Sequence, residues 1–191
     1  KTGFILNDSP GRLPDRKHKK RWTAFDTALI SIGQGDILVS PLQAAVYTAA
    51  IATNGTLWRP NILKTIVAPG GAAVYTEHAQ AAGHLAASPQ TLEIIRKGMY
   101  LSVNSDIGGS KRARNEAIDL SGKTGTAEVG PRSTRYKNTW FTGFGTHNGK
   151  TYAIAILVEH GVSGGKTCAP LAAEFFNRWL GSQKEQAAVS R

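Results

Sequence analysis

The chain has 191 residues, 41% of them hydrophobic, with a net charge of +10 and one cysteine. That is enough for one domain with a real core, or for most of one. A lone Cys168 excludes an internal disulfide framework and argues against a cysteine-based metal site, and no apolar run reaches the roughly 18 residues a membrane helix needs. The longest such run, residues 42–53, reads as a buried helix. There is no signal peptide, and Lys1-Thr2-Gly3 does not read as a natural start, so the chain is expected to be a piece of something longer.

The basic balance would attract any polyanion. The densest cluster, Arg16-Lys17-His18-Lys19-Lys20-Arg21, precedes Trp22 in an expected loop, and Lys111, Arg112 and Arg114 form a second group. Nucleic-acid modules interleave basic residues with exposed aromatics or set them along a recognition helix. Neither pattern is present, so solvated loops are expected and nucleic acid is not expected as a partner.

In chain order, residues 1–25 are rich in Pro, Gly, Lys and Arg and lack helical periodicity, with a turn cluster at Asn7-Asp8-Ser9-Pro10-Gly11. A short apolar run over 27–32 ends at Gly33 and Gly35. Ser40-Pro41 starts a helix, since Ser caps free N–H groups and Pro at the first position loses no needed donor. Leu42, Ala45, Val46, Ala49 and Ala50 recur at helical spacing, and Asn54-Gly55 stops the run. Residues 61–67 and 72–75, joined by Pro69-Gly70-Gly71, read as a hairpin away from the chemistry. Ser88-Pro89 starts a second helix, with Leu92, Ile95, Met99 and Val103 as its buried stripe; residues 106–117 form a connecting loop.

Ser121-Gly122-Lys123-Thr124-Gly125-Thr126 follows. A cation, hydroxyls and two glycines make a poor core strand and a good edge strand for an anionic, peptide-like ligand. Side chains alternate along a strand, so Thr124 and Thr126 share a face. Gly125 removes the side chain where a ligand backbone would come close. Residues 128–137 form a basic loop carrying Arg132, Arg135 and Lys137. Two strands, 139–146 and 151–159, are joined through Asn148-Gly149, the strongest short hairpin signal a sequence offers. Together these strands predict an antiparallel meander. An amphipathic helix over 170–180 would turn Leu171, Phe175 and Trp179 inward, and 182–191 would be a polar, disordered tail. The expected class is α+β: an antiparallel sheet covered by the last helix, with helices near 40–54 and 88–104 beside it.

SGKTGTAE resembles the third signature of the penicillin-recognising acyltransferases, a family marked by S-x-x-K, S-D-N and K-T-G elements. SIGQGDILVSPLQAA over 31–45 and WFTGFGTHNGKTYAIAILVEHG over 140–161 resemble segments of class B penicillin-binding transpeptidases, and the SIGQG spelling points to the elongation-type penicillin-binding protein 2 group. The resemblance covers about residues 1–181. It implies a penicillin-binding transpeptidase fold, no cofactor, and peptidoglycan D,D-transpeptidase activity through a serine acyl-enzyme in the full-length parent. It also implies a D-Ala-D-Ala stem peptide and β-lactams as ligands. Further partners would be the missing N-terminal part, the membrane and cell-wall elongation proteins. The domain would face outward in the cell envelope on a membrane-anchored protein. By the same resemblance Lys123 sets the electrostatics, and Thr124, Gly125, Thr126 and Ser121 bind substrate. The Thr126 backbone N–H would supply half of the oxyanion hole. Two further readings stand beside this one: a β-lactamase or β-lactam sensor of the same superfamily, and a non-catalytic interaction module.

The chain carries letter matches to the two missing signatures. Ser163-Gly164-Gly165-Lys166 spells S-x-x-K, but the spacing is useful only on a helix, and paired glycines argue against one there. Ser102-Val103-Asn104 spells S-x-N, yet Val103 belongs to the buried stripe and Lys123 lies too close behind. The nucleophile is therefore expected outside this chain, N-terminal to Lys1, leaving the fragment inactive alone. Strand, Gly161–Thr167 loop and helix also suggest a phosphate-binding loop. The spacing fails, because that motif wants Gly where His160 stands, and the second Gly-Lys-Thr wants Gly where Ala117 stands. The five histidines show no metal-type spacing, and His160 is expected to be structural.

Overall fold

In a computed structural model the chain is described at residues 2, 4, 8–15 and 21–189. Most of the basic cluster, residues 16–20, lies outside them, as does Asn7. Helix α1, Ala24–Ser31, begins with a capping box between Thr23 and Asp26. Helix α2, Pro41–Ala52, begins with another between Ser40 and Gln43. Each satisfies two otherwise orphaned donors reciprocally. Strand β1, Thr56–Trp58, pairs antiparallel with β4, Ala81–His84; between them β2, Thr65–Val67, and β3, Ala73–Thr76, form the expected hairpin. Helix α3, Pro89–Asn104, is capped by the Ser88 hydroxyl. The main sheet is an antiparallel meander of β5 (Asp119–Val129), β6 (Tyr136–His147) and β7 (Lys150–Val158). Helix α4, Gly164–Val189, closes the chain.

The hairpin between β6 and β7 turns on Asn148 and Gly149, at φ 50° and 72°, the positive values that a two-residue primed turn requires. Register puts Lys123 opposite Thr142, Thr124 opposite Phe141 and Gly125 opposite Trp140. One face of the sheet meets α4 in the core, built on Leu120, Phe141, Cys168, Ala172 and Phe176. Phe141 lies fully buried across Gly122 and Gly143, where a Cβ would strike its ring. Burying such a ring contributes about 1.5–3 kcal/mol. The other face meets α2, which lies against β6 and β7.

Four expectations need correction. The inward residues of α4 are Cys168, Ala172, Phe176 and Leu180, whereas Leu171 and Phe175 are exposed. Trp179 stays half-buried against the core as expected, but the fully buried stripe runs one residue further on, with the small Cys168 and Ala172 facing the sheet that carries Phe141. On α3, Ile95 leaves the buried stripe while Leu92, Met99 and Val103 stay in it. On α2 the expected Ala50 is buried, but the other buried positions are Ala44 and Thr48, while Leu42, Ala45, Val46 and Ala49 are half-buried. The stretch expected as a disordered tail continues α4 to Val189, in keeping with the good helix formers Gln183-Lys184-Glu185-Gln186-Ala187-Ala188.

Candidate active site

Among the described residues β5 pairs along one edge, with β6, so half of its backbone groups face elsewhere. The Leu120 carbonyl accepts from Asn104 Nδ2 at 2.9 Å, and the Thr124 N–H donates to Ser110 Oγ at 3.1 Å. The Thr126 carbonyl accepts from Gln34 Nε2 at 2.9 Å. Even-numbered residues of this strand thus turn their backbone groups away from β6, and alternation directs the Thr126 N–H to the same edge.

That edge borders a cavity of about 940 Å³ between β5, β6, α2 and the turn after α1, lined by Lys123, Thr124, Gly125 and Thr126 with Trp140 and Tyr47 among others. Lys123 is exposed on its wall, with Nζ donating to the Thr124 carbonyl at 2.7 Å. The charged residues of the described lining are Lys123 and Arg12, and Arg12 is already paired with Asp36 at 3.7 Å. A largely apolar groove that carries the Lys123 ammonium, hydroxyls and one strand edge suits an extended ligand with an anionic group.

Thr124 and Thr126 share a face, as alternation requires. The Thr126 hydroxyl accepts the Gly164 N–H at 3.2 Å, which keeps its own proton available for donation. Thr124 Oγ1 accepts from the Ser110 hydroxyl at 3.3 Å, and Ser110 in turn accepts from Ser102 at 2.9 Å. A chain of hydroxyls therefore ends at Thr124, which keeps its own proton for a further acceptor. A Cβ at Gly125 would meet only Trp140 Cβ, at 3.4 Å. Ser121 is buried at 7% exposure and does not line the cavity, so it brings no hydroxyl to it.

The two letter matches resolve into local structure. Ser163 precedes α4 and accepts the Lys166 N–H on its hydroxyl at 3.3 Å, while its carbonyl takes the N–H groups of Lys166 and Thr167. The paired glycines thus begin a helix after all, because the first turn needs no intrahelical N–H bonds. Lys166 is exposed, and Ser163 spends its oxygen as a cap. Ser102 donates to Ser110 behind β5, away from the cavity. The Gly161–Thr167 loop commits its amides internally, Val162 N–H to Thr167 Oγ1 and Gly164 N–H to Thr126 Oγ1, and follows an antiparallel strand. His160 stacks on Tyr136 with ring centroids 4.2 Å apart.

Sequence reasoning missed Gln34, Tyr47 and Ser110. Tyr47, on α2, hydrogen-bonds Thr142, and burial raises its hydroxyl above the usual tyrosine value, with the Thr142 bond pulling the other way. Ser110 could have been suspected as a hydroxyl beside paired glycines at the end of a helix. Gln34 lies in the SIGQG run already singled out, but its partner is 92 positions away, so its role could not be read locally.

The sequence matches the penicillin binding protein transpeptidase domain across residues 7–177. It is 26% identical to the peptidoglycan D,D-transpeptidase MrdA of Haemophilus influenzae over 97% of this chain and 31% of that protein. The fold superposes with a TM-score of 0.75 on penicillin-binding protein 2 of Helicobacter pylori, solved in complex with MreC, at 32% identity over 95% of this chain and 33% of that one. It also resembles penicillin-binding protein A of Mycobacterium tuberculosis in its penicillin G acyl-enzyme complex. There the TM-score is 0.59 at 31% identity, over 71% of this chain and 29% of that one. The chain spans about a third of the length of the curated relatives it matches.

Proposed function

The chain belongs to the penicillin-binding protein transpeptidase family, and from that premise we infer that it forms the strand-side wall of a peptidoglycan D,D-transpeptidase cleft. The observation that carries this is the edge of β5 that faces away from β6 at Lys123–Thr126, beside a cavity that Lys123 lines.

In the reaction proposed for the whole protein, a serine hydroxyl attacks the penultimate D-Ala carbonyl of a stem peptide. The carbonyl oxygen becomes an oxyanion, the terminal D-Ala leaves as an amine, and the amine of a second stem later takes the acyl group. Lys123 attracts the substrate carboxylate, the Thr124 and Thr126 hydroxyls hold it, and Gly125 lets the ligand backbone approach. The Thr126 N–H receives the oxyanion. One such donor contributes about 3–4 kcal/mol of transition-state stabilisation. Ser102 and Ser110 give their hydroxyl protons to Ser110 and Thr124, and Ser163 caps α4 with no hydrogen bond to the Lys166 ammonium. Neither letter match is therefore set up as a nucleophile with its base, which supports a nucleophile supplied from outside residues 1–191.

β-Lactams carry an acyl group and a carboxylate that suit the same donors, and the tuberculosis relative is solved as a penicillin G acyl-enzyme complex. The likeness to MrdA and to a relative solved with MreC supports an elongation-type enzyme working with elongation proteins. Its place would be the cell envelope, on a membrane-anchored parent. Among the described residues no helix is long and apolar enough to cross a membrane.

The test is labelling with a fluorescent penicillin. The full-length parent takes up the label covalently, the isolated chain does not, and Lys123→Ala in the parent slows acylation about 100-fold or more. Stable labelling of the isolated chain would overturn the assignment of the nucleophile. An unchanged rate in the Lys123 variant would remove the role given to that cation.

A further inference from the structure

The SIGQG run has no part in the chemistry above, yet the fold brings it to the reacting edge. After α1 the chain turns back sharply, with the Gly33 N–H bonded to the Ile30 carbonyl at 3.0 Å and the Gln34 N–H to the Leu29 carbonyl at 2.9 Å. Gly33 and Gly35 hold φ of 71° and 79°, which other residues adopt only under strain. The turn is thereby fixed, and it projects Gln34 across the cavity to the Thr126 carbonyl.

Between Thr124 and Thr126 the outer edge of β5 carries four backbone groups. Three are held by side chains: the Thr124 N–H by Ser110, the Thr124 carbonyl by Lys123 and the Thr126 carbonyl by Gln34. The fourth is the Thr126 N–H. Thr126 is also pinned from its other side, where its hydroxyl accepts the Gly164 N–H. Fixing both the carbonyl and the hydroxyl of one residue leaves its N–H little freedom of direction.

We propose that Gln34 is a positioning residue that fixes the orientation of Thr126 and closes the strand edge beyond it, so that a ligand finds the Thr126 N–H as a preset donor. The consequence for specificity is a limit on length. Of these four groups the Thr126 N–H is the one left open, so an extended ligand gains its backbone bond there and cannot continue as an added strand, because the next acceptor is occupied. The carboxamide also shields that edge from indiscriminate strand addition. Gln34 touches no reacting atom and acts through Thr126.

This inference rests on the acyl-transfer reading of the cleft, and its test separates the two. In the full-length parent, acylation by a fluorescent penicillin is followed at varied concentration to give a dissociation constant and an acylation rate constant. Gln34→Ala should lower the rate constant about 10- to 100-fold, since a small misplacement of a reacting group has effects of that size. The dissociation constant should change less than about threefold, and the melting temperature should not change. Gln34→Glu should be as slow as Gln34→Ala near pH 7. Its rate relative to Gln34→Ala should recover as pH falls toward about 4.3, where a protonated carboxyl regains a donor. A Gln34→Ala rate equal to wild type overturns the positioning role alone. So does a loss that falls equally on dissociation constant and melting temperature. A wild-type parent that takes no label overturns the transpeptidase reading and this inference together.

Discussion

Ser110→Ala is the substitution that most directly probes how β5 is held. The hydroxyl is fully buried and makes three bonds: it accepts the Thr124 N–H at 3.1 Å and the Ser102 O–H at 2.9 Å, and donates to Thr124 Oγ1 at 3.3 Å. Alanine fits the space but strands the Thr124 N–H, whose direction is set by the strand. The Ser102 hydroxyl can rotate toward another acceptor and loses less. One orphaned donor costs about 1–3 kcal/mol and each lost bond about 1 kcal/mol net, so a total of about 2–4 kcal/mol is expected. That is a large share of the 5–15 kcal/mol typical of a domain. Urea unfolding followed by tryptophan fluorescence should show the midpoint falling with the slope unchanged. Ser102→Ala alone should cost only about 0.5–1.5 kcal/mol, because Ser110 keeps its other partners. The double variant should cost less than the sum, since it leaves no Ser102 donor behind. A Ser110→Ala effect below about 0.5 kcal/mol, or strict additivity, would refute a hydroxyl chain that supports the strand.

Gly164→Ala should destabilise by about 1–3 kcal/mol, because a Cβ there would stand 2.5 Å from the Gly125 and Trp140 carbonyl oxygens, neither of which can yield cheaply. Gly181→Ala in the same helix has nothing nearby and should stabilise by about 0.5–1 kcal/mol; thermal unfolding of both variants checks the contrast. Tyr47 has its hydroxyl raised by burial, so its contribution to stability is complete below the unfolded tyrosine value of about 10 and is lost as pH rises through the higher folded value. Urea midpoints across the alkaline range should therefore fall less steeply for Tyr47→Phe than for wild type, and identical slopes would refute the assignment.

What could be read from residues was what local chemistry decides. The Lys-Thr-Gly strand, the Asn148-Gly149 hairpin and the Ser-Pro helix starts each depend on neighbours a few positions away, and each is where the pattern put it. The inward face of α4 was misread because two stripes fit the same four-residue spacing. The sequence favours the larger set, Leu171, Phe175 and Trp179, of which only Trp179 packs on the core; full burial followed the smaller set because Phe141 had already filled the space between sheet and helix. Volume is shared across the interface, so the pattern of one element cannot fix its own buried face. The glycines after Ser163 were misread for a related reason: helix propensity describes interiors, and a capped first turn is not an interior.

The site divides in the same way. Its donors announce themselves in six consecutive residues, whereas the groups that set their directions, Gln34, Ser110 and Gly164, come from three other segments. Each of those contacts uses a side chain or amide whose identity is common and whose meaning arises only once the strand edge exists. An edge strand with several backbone groups already occupied is a narrower receptor than a bare Lys-Thr-Gly suggests. Specificity in this cleft follows from which groups the fold has already taken as much as from those it leaves open.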